Sequence, residues 1–351
     1  MDWISMCNPA SFYGLRKTSP STCCQFSCFW RTLFFVAYTC SWWTDPVDFR
    51  RETNISTCIR LFVFLYRIQS THVNPAISFC EAVFRSRAYN ELLNSMVPAV
   101  PNVRGLLAHA ALNASLVVAA AVTIINKQRD LEFSRVILQL CRIYVRYSVY
   151  AIAQDYIGKA SVVKNELRRL TSQLKSQRVL ALSQSWTLIR YKTKIRDQTR
   201  CMNDVFGLQV FLFYSATAVH LSVLVGKLII SWKSVNPMEG LLEISPILIE
   251  CLVAISLAFQ MSHLGSDIVD NCLEAEHLLT DEGRLADELR VVLAYREQWD
   301  SLRLLDSVPN EVSAIMGAVI NIITFVAIVL QFDVTVSQAI FDPGHCKKGP
   351  E

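Results

Sequence analysis

The chain has 351 residues, 52% of them hydrophobic and 18% charged, with a formal net charge of +4. That balance is too apolar for an ordinary soluble domain and places the chain in a membrane. With so small a net charge, the placement of the basic residues along the chain carries more information than their sum.

Residues 1 to 23 are polar and broken by Pro9 and Pro20, as in a short cytosolic tail. They lack the apolar core of a cleavable signal peptide, so the first span is expected to do the targeting. Spans one to four are expected over about 24–43, 58–84, 105–125 and 133–152, within a membrane block covering 24–153. Trp42 and Trp43 sit at the end of the first span like an interfacial belt. The loop that follows holds Asn54-Ile55-Ser56, a glycosylation sequon usable only on the lumenal side. A second formal sequon at Asn113 falls inside the third span. The second span carries Arg67 and Asn74-Pro75; either Arg67 faces the bundle interior or water, or the limits of the span lie elsewhere, or the segment is tilted and kinked at Pro75. In the fourth span Arg135, Gln139, Arg142 and Arg146 recur at steps of four and three and share one face. That stripe either borders an aqueous cavity or pairs with acids elsewhere.

From 154 to 203 hydrophobicity collapses, and eleven Lys and Arg face only Asp155, Glu166 and Asp197. Val163, Leu167, Leu170 and Leu174 recur at heptad spacing, so the segment reads as helix with an apolar seam. A basic segment of this kind beside a membrane is the cytosolic positive-inside signal, with anionic lipid nearby, rather than a nucleic-acid site. Within a second membrane block over 204–264, spans five and six follow at about 205–232 and 242–264. The fifth holds His220 and the sixth Glu250. Glu250 in an apolar run is either neutral and buried or, the favoured reading, paired with a fourth-span arginine. Residues 265–310 turn acidic, with Leu285, Leu289, Val292, Trp299 and Leu302 as an apolar seam for packing among cytosolic anchor helices. The last span lies within 311–333, and 334–351 form a short tail.

The last span runs from Val312 to Phe332 without an ionisable side chain. Gly317, Asn321, Thr324, Ile328 and Gln331 follow at steps of four and three and share a face. Amides in hydrocarbon need partners, so this face points at protein or at water. Helix packing and a water-lined conduit both fit.

Counted with the N-terminus inside, cytosolic segments collect twenty basic residues and the opposite side seven. The expected fold class is therefore all-α: a polytopic plasma-membrane protein of seven transmembrane helices, N-terminus cytoplasmic, C-terminus extracellular, with long cytosolic helical extensions. The twelve cysteines show no Cys-x-x-Cys pair and no His spacing that fits zinc, so they read mostly as small buried hydrophobes. A Cys40–Cys58 disulfide outside the cell stays open. No catalytic constellation or phosphate-binding glycine loop is present; no enzyme activity, cofactor, metal or nucleic-acid partner is expected.

Thr324-Phe325-Val326-Ala327-Ile328-Val329-Leu330-Gln331-Phe332 resembles the C-terminal signature TYhhhhhQF of insect gustatory receptors, where h is hydrophobic, departing once with Phe325 in place of Tyr. Asn203-Asp204-Val205-Phe206-Gly207 resembles the start of the fifth span in that family, and Phe12-Tyr13-Gly14-Leu15 a short element near its N-terminus. The resemblance implies a tastant-gated non-selective cation channel, assembled as a homo- or hetero-tetramer around a central pore. Carried onto this chain it makes Gln331 a pore-lining residue and Ile328 with Phe332 the constriction. A small-molecule tastant is expected among the outer halves of spans two to six, with Arg142, His220 and Glu250 as the polar groups that orient it. The alternatives are a secondary transporter using Arg67, the fourth-span arginines and Glu250, although neither internal repeats nor paired glycine-broken spans are seen, or a seven-span G-protein-coupled receptor, which the inverted loop charge opposes.

Overall fold

The computed structural model describes residues 103–127, 133–176, 182–232, 237–280, 302–304 and 308–309, with isolated helical positions at 317, 320, 324, 327, 328 and 331. Spans one and two, Asn54, Arg67, Cys40 and Cys58 lie outside these residues. The elements are α1 (Val103–Lys127), α2 (Phe133–Ser176), α3 (Leu182–Trp232), α4 (Pro237–Thr280), and two strands, β1 (Arg303–Leu304) and β2 (Val308–Pro309). The strands pair antiparallel, Arg303 opposite Pro309 and Leu304 opposite Val308. Apart from that two-residue ribbon, every described element is helix, and the architecture is all-helical.

Length is the defining feature of these helices. α2 and α4 have 44 residues each and α3 has 51. At 1.5 Å per residue they reach roughly 66 to 77 Å, about twice the thickness of a bilayer core. α2 passes unbroken through 153–154, α3 through 203–204 and α4 through 264–265. The sequence explains the continuity: between 133 and 176 there is no proline and a single glycine, Gly158. α4 begins with Pro237 in the first turn, where a missing N–H is harmless. Pro246 lies inside α4 and removes one backbone donor without ending the helix. Among the described residues, Ile244–Leu278 is the one stretch long and apolar enough by itself to cross a membrane, and α1 holds a shorter apolar run, Ala110–Val122.

α4 packs along α2 over the longest interface and also against α3 and α1, so α2, α3 and α4 enclose the core. In the lower halves the core is a ladder: Val163, Leu167, Leu170 and Leu174 of α2 are all buried, against Ile195 and Met202 of α3 and Ile268, Cys272 and Ala275 of α4. Leu302, just before β1, joins this cluster. Higher up, two aromatic edge-to-face contacts tie α2 to α3, Tyr156 on Phe206 at 5.6 Å and Tyr150 on Phe213 at 5.9 Å between ring centroids. Such pairs add about 0.5–1.5 kcal/mol beyond their burial. Asn113, the formal sequon of α1, is half-buried and accepts a 3.0 Å hydrogen bond from Gln154 Nε2 of α2.

Candidate functional site

Among the described residues, two regions stand out for polar side chains in apolar stretches. The first joins α3 to α4. His220 and Glu250 each interrupt an apolar run, and their side chains are only 5% and 4% exposed. His220 Nε2 lies 3.5 Å from Glu250 Oε2. The other ring nitrogen, Nδ1, stands 3.1 Å from the carbonyl oxygen of Ala216 one turn earlier. A carbonyl can only accept, so Nδ1 carries a proton and Nε2 is the atom presented to the carboxyl group. Leu224, Ile244 and Cys251 form a small apolar cluster on the same two helices, and Ile247 packs against it. Together these contacts hold one imidazole beside one carboxyl group, both buried between α3 and α4.

Sequence reasoning identified both residues and favoured a fourth-span arginine as the partner of Glu250; the structure places His220 beside it. Arg142 lies on α2, and its side chain is outside the described ones.

The second region is the stretch from 317 to 331, expected as the last span. All six described positions, Gly317, Ile320, Thr324, Ala327, Ile328 and Gln331, are helical and exposed. At about 100° per residue they fall within an arc of about 100° on one face. That face includes four of the five stripe residues read from the sequence; the fifth, Asn321, lies outside the described residues, as does Phe332. Ile320 and Ile328 are 56% and 44% exposed, a large apolar area on the surface of one chain. Thr324 Oγ1 donates to the Ile320 carbonyl at 2.9 Å, which satisfies the hydroxyl locally. A Cβ added at Gly317 would meet nothing within 4 Å.

Below these regions the basic and acidic segments pair. Lys164 of α2 is bonded to Asp267 of α4 and Lys175 to Glu274. Burial would raise the Asp267 pKa, but the hydrogen bond and charge of Lys164, with His263 and Arg168, outweigh it and hold the carboxyl below its ordinary value of 3.8. Lys192 of α3 is pulled below its ordinary value by burial, opposed by the charge of Glu276. Burial pushes the neighbouring Cys272 thiol up to about 12. The sequence showed the two charge blocks but not these pairings, which join residues about a hundred positions apart. Among the described residues no cluster of His, Cys, Asp or Glu is arranged to hold a metal ion.

Neither a family model nor a curated protein matches this sequence. The fold, however, matches that of the insect olfactory receptor OR5 from Machilis hrabei. The TM-score is 0.60 with 11% sequence identity, over 94% of this chain and 97% of that chain. At that identity the likeness shows a shared fold.

Proposed function

We propose that a chain with the fold of an insect olfactory receptor, carrying this terminal signature, is a chemosensory ligand-gated channel. More narrowly, we read it as a gustatory receptor: a tastant-gated cation channel crossing the plasma membrane seven times with its N-terminus inside. The observation that carries this is the exposed arc from Gly317 to Gln331 on the single chain. A terminal span that presents two isoleucines together with a glutamine needs cover. Lipid suits the isoleucines, whereas a glutamine side chain is better placed beside protein or water than in hydrocarbon. Copies of the same face around a shared axis suit both. In that assembly, a tetramer by resemblance, Gln331 lines the path, and Ile328 with Phe332 closes it by excluding water rather than by plugging it. A tastant among the outer halves of the spans, oriented by His220, Glu250 and Arg142, favours the open state by binding it more tightly than the closed one.

The test uses cysteines placed at 328 and 331 in the purified protein in a bilayer, with the parent chain as the control for native thiols. During agonist-evoked current, a small aqueous thiol reagent is expected to reduce the current irreversibly in both variants. Full current with both positions unreactive would refute the axis. Saturable uptake of substrate without current would instead favour the transporter reading.

A further inference from the structure

We propose that Ser172 is a phosphorylation site for a protein kinase that selects basic residues ahead of its target, and that the phosphate loosens the last turn of α2 from α4. The run Arg168-Arg169-Leu170-Thr171-Ser172 offers two hydroxyls after two arginines. The structure separates them. Thr171 is buried, its Oγ1 donating to the Leu167 carbonyl at 2.9 Å. Ser172 is exposed, its Oγ donating to the Arg169 carbonyl at 2.8 Å. Arg168 and Arg169 are also exposed and lie four and three residues before Ser172, on the same helical face. A carboxylate-lined kinase cleft therefore meets two guanidinium groups and one reachable hydroxyl. Helix ends open first, and Ser172 lies in the closing turns of α2, which ends at Ser176.

The partner is a soluble enzyme rather than a membrane surface. Ser172 is twenty residues past Ile152, where the fourth span is expected to end, which is about 30 Å along the helix. A charged lipid surface is screened over about 8 Å at physiological salt. The proposal depends on the lower half of α2 being cytosolic, the orientation used in the functional reading, but not on ion conduction.

In the reaction, Ser172 Oγ attacks the terminal phosphorus of ATP. The new O–P bond forms as the bond to ADP breaks, and the hydroxyl proton passes to the base of the kinase. The product adds a charge of about −1.5 to −2. It stands close to the negative end of the α2 dipole, where an anion is unfavourable. It also lies three residues before Lys175, whose ammonium is engaged by Glu274 across the α2–α4 interface. Both members of that pair are about half-exposed, so a nearby phosphate can take Lys175 away from Glu274.

The full-length purified protein is incubated with ATP and the catalytic subunit of a basophilic serine/threonine kinase, and phosphate is located by peptide mass mapping. Incorporation at Ser172 is expected, absent in S172A, slowed at least tenfold in R169Q and retained in T171V. Amide hydrogen exchange over 173–176 is expected to quicken at least fivefold on modification. Phosphate found elsewhere with Ser172 unmodified would overturn the site. Modification with unchanged exchange would overturn the loosening. Neither readout involves current, so a failed channel test leaves this result standing.

Discussion

The contact between His220 and Glu250 gives the sharpest energetic test. With the two atoms 3.5 Å apart and an effective dielectric near 20, the charge-paired form gains about 5 kcal/mol of Coulomb energy. Desolvating both groups offsets most of that, and on the proposed membrane reading a hydrogen bond between two helices has a net worth of about 0.6 kcal/mol, up to about 1.7. The separation also exceeds the 2.7–2.9 Å of a tight charge-assisted bond. The net value of the pair is therefore expected to be small and the cost of breaking it large. His220→Leu, which takes the imidazole away from a carboxyl group 4% exposed, is expected to cost about 3 kcal/mol. Glu250→Gln keeps the shape and one acceptor and is expected to cost about 1 kcal/mol. The double variant H220L/E250L is expected to lie within about 1 kcal/mol of the parent, since both polar groups leave together. The assay is reversible unfolding in detergent micelles, run as a double-mutant cycle with Glu250→Leu as the second single variant. If the H220L and E250L effects added within about 0.5 kcal/mol, the two groups would be energetically independent and the reasoning would fail.

Three further outcomes are expected. Leu170→Ala, at a fully buried rung of the lower ladder, is expected to cost about 3 kcal/mol, whereas Leu273→Ala on the exposed face of α4 is expected to stay within about 0.5 kcal/mol; chemical denaturation compares them. Gly158 is helical and exposed with nothing within 4 Å of an added Cβ, so Gly158→Ala is expected to stabilise by about 0.5–1 kcal/mol, read as a raised melting temperature. Cys272, whose thiol is pushed up to about 12 by burial, is expected to resist maleimide at pH 8 in the folded protein and to react once denatured, as mass spectrometry will show.

The lower halves of the helices were legible in the sequence because their exposed faces are polar and charged, Arg168, Arg169, Ser172 and Lys175 among them. There the apolar residues mark the inside, and Val163, Leu167, Leu170 and Leu174 are all buried as their spacing predicts. Within the apolar halves the same logic fails. On α4, Leu248, Leu252, Ile255 and Phe259 are exposed while Val253, Ala254, Leu257 and Met261 are buried, and composition does not separate the two sets because both are apolar. The fall in hydrophobicity near 153 does not interrupt the backbone, since α2 continues through it. His220 and Glu250 stood out as polar groups in apolar runs, but their pairing depends on how α3 and α4 align. That alignment rests on long-range contacts between the two helices, such as the Tyr214 hydroxyl donating to the Ala258 carbonyl at 3.3 Å, which no local pattern encodes.

Because α2, α3 and α4 each run from the apolar region into the charged one, the two levels are mechanically linked. Glu250 and Asp267 are seventeen residues apart on α4, about 25 Å along one helix. Between them Val253, Ala254, Leu257 and Met261 are close-packed in the core, and packed interfaces switch between discrete arrangements rather than deform smoothly. On the proposed channel reading, a ligand that displaces α4 against α3 near Glu250 must also shift α4 against α2 at Lys164–Asp267. Asp267→Asn weakens that lower bond without touching the upper pair. By linkage it changes the cost of the displacement by the difference in bond energy between the two states; about 1 kcal/mol of difference moves the half-maximal agonist concentration about fivefold. The contribution has a defined pH dependence. A carboxyl held below 3.8 in the folded chain stabilises above that pH, and the contribution is lost as pH falls through the lower folded value. The expected result is therefore a several-fold shift of the dose–response curve in D267N at neutral pH, with the maximal current preserved. An unshifted curve would mean that α4 bends between the two levels and that the lower ion pairs take no part in gating.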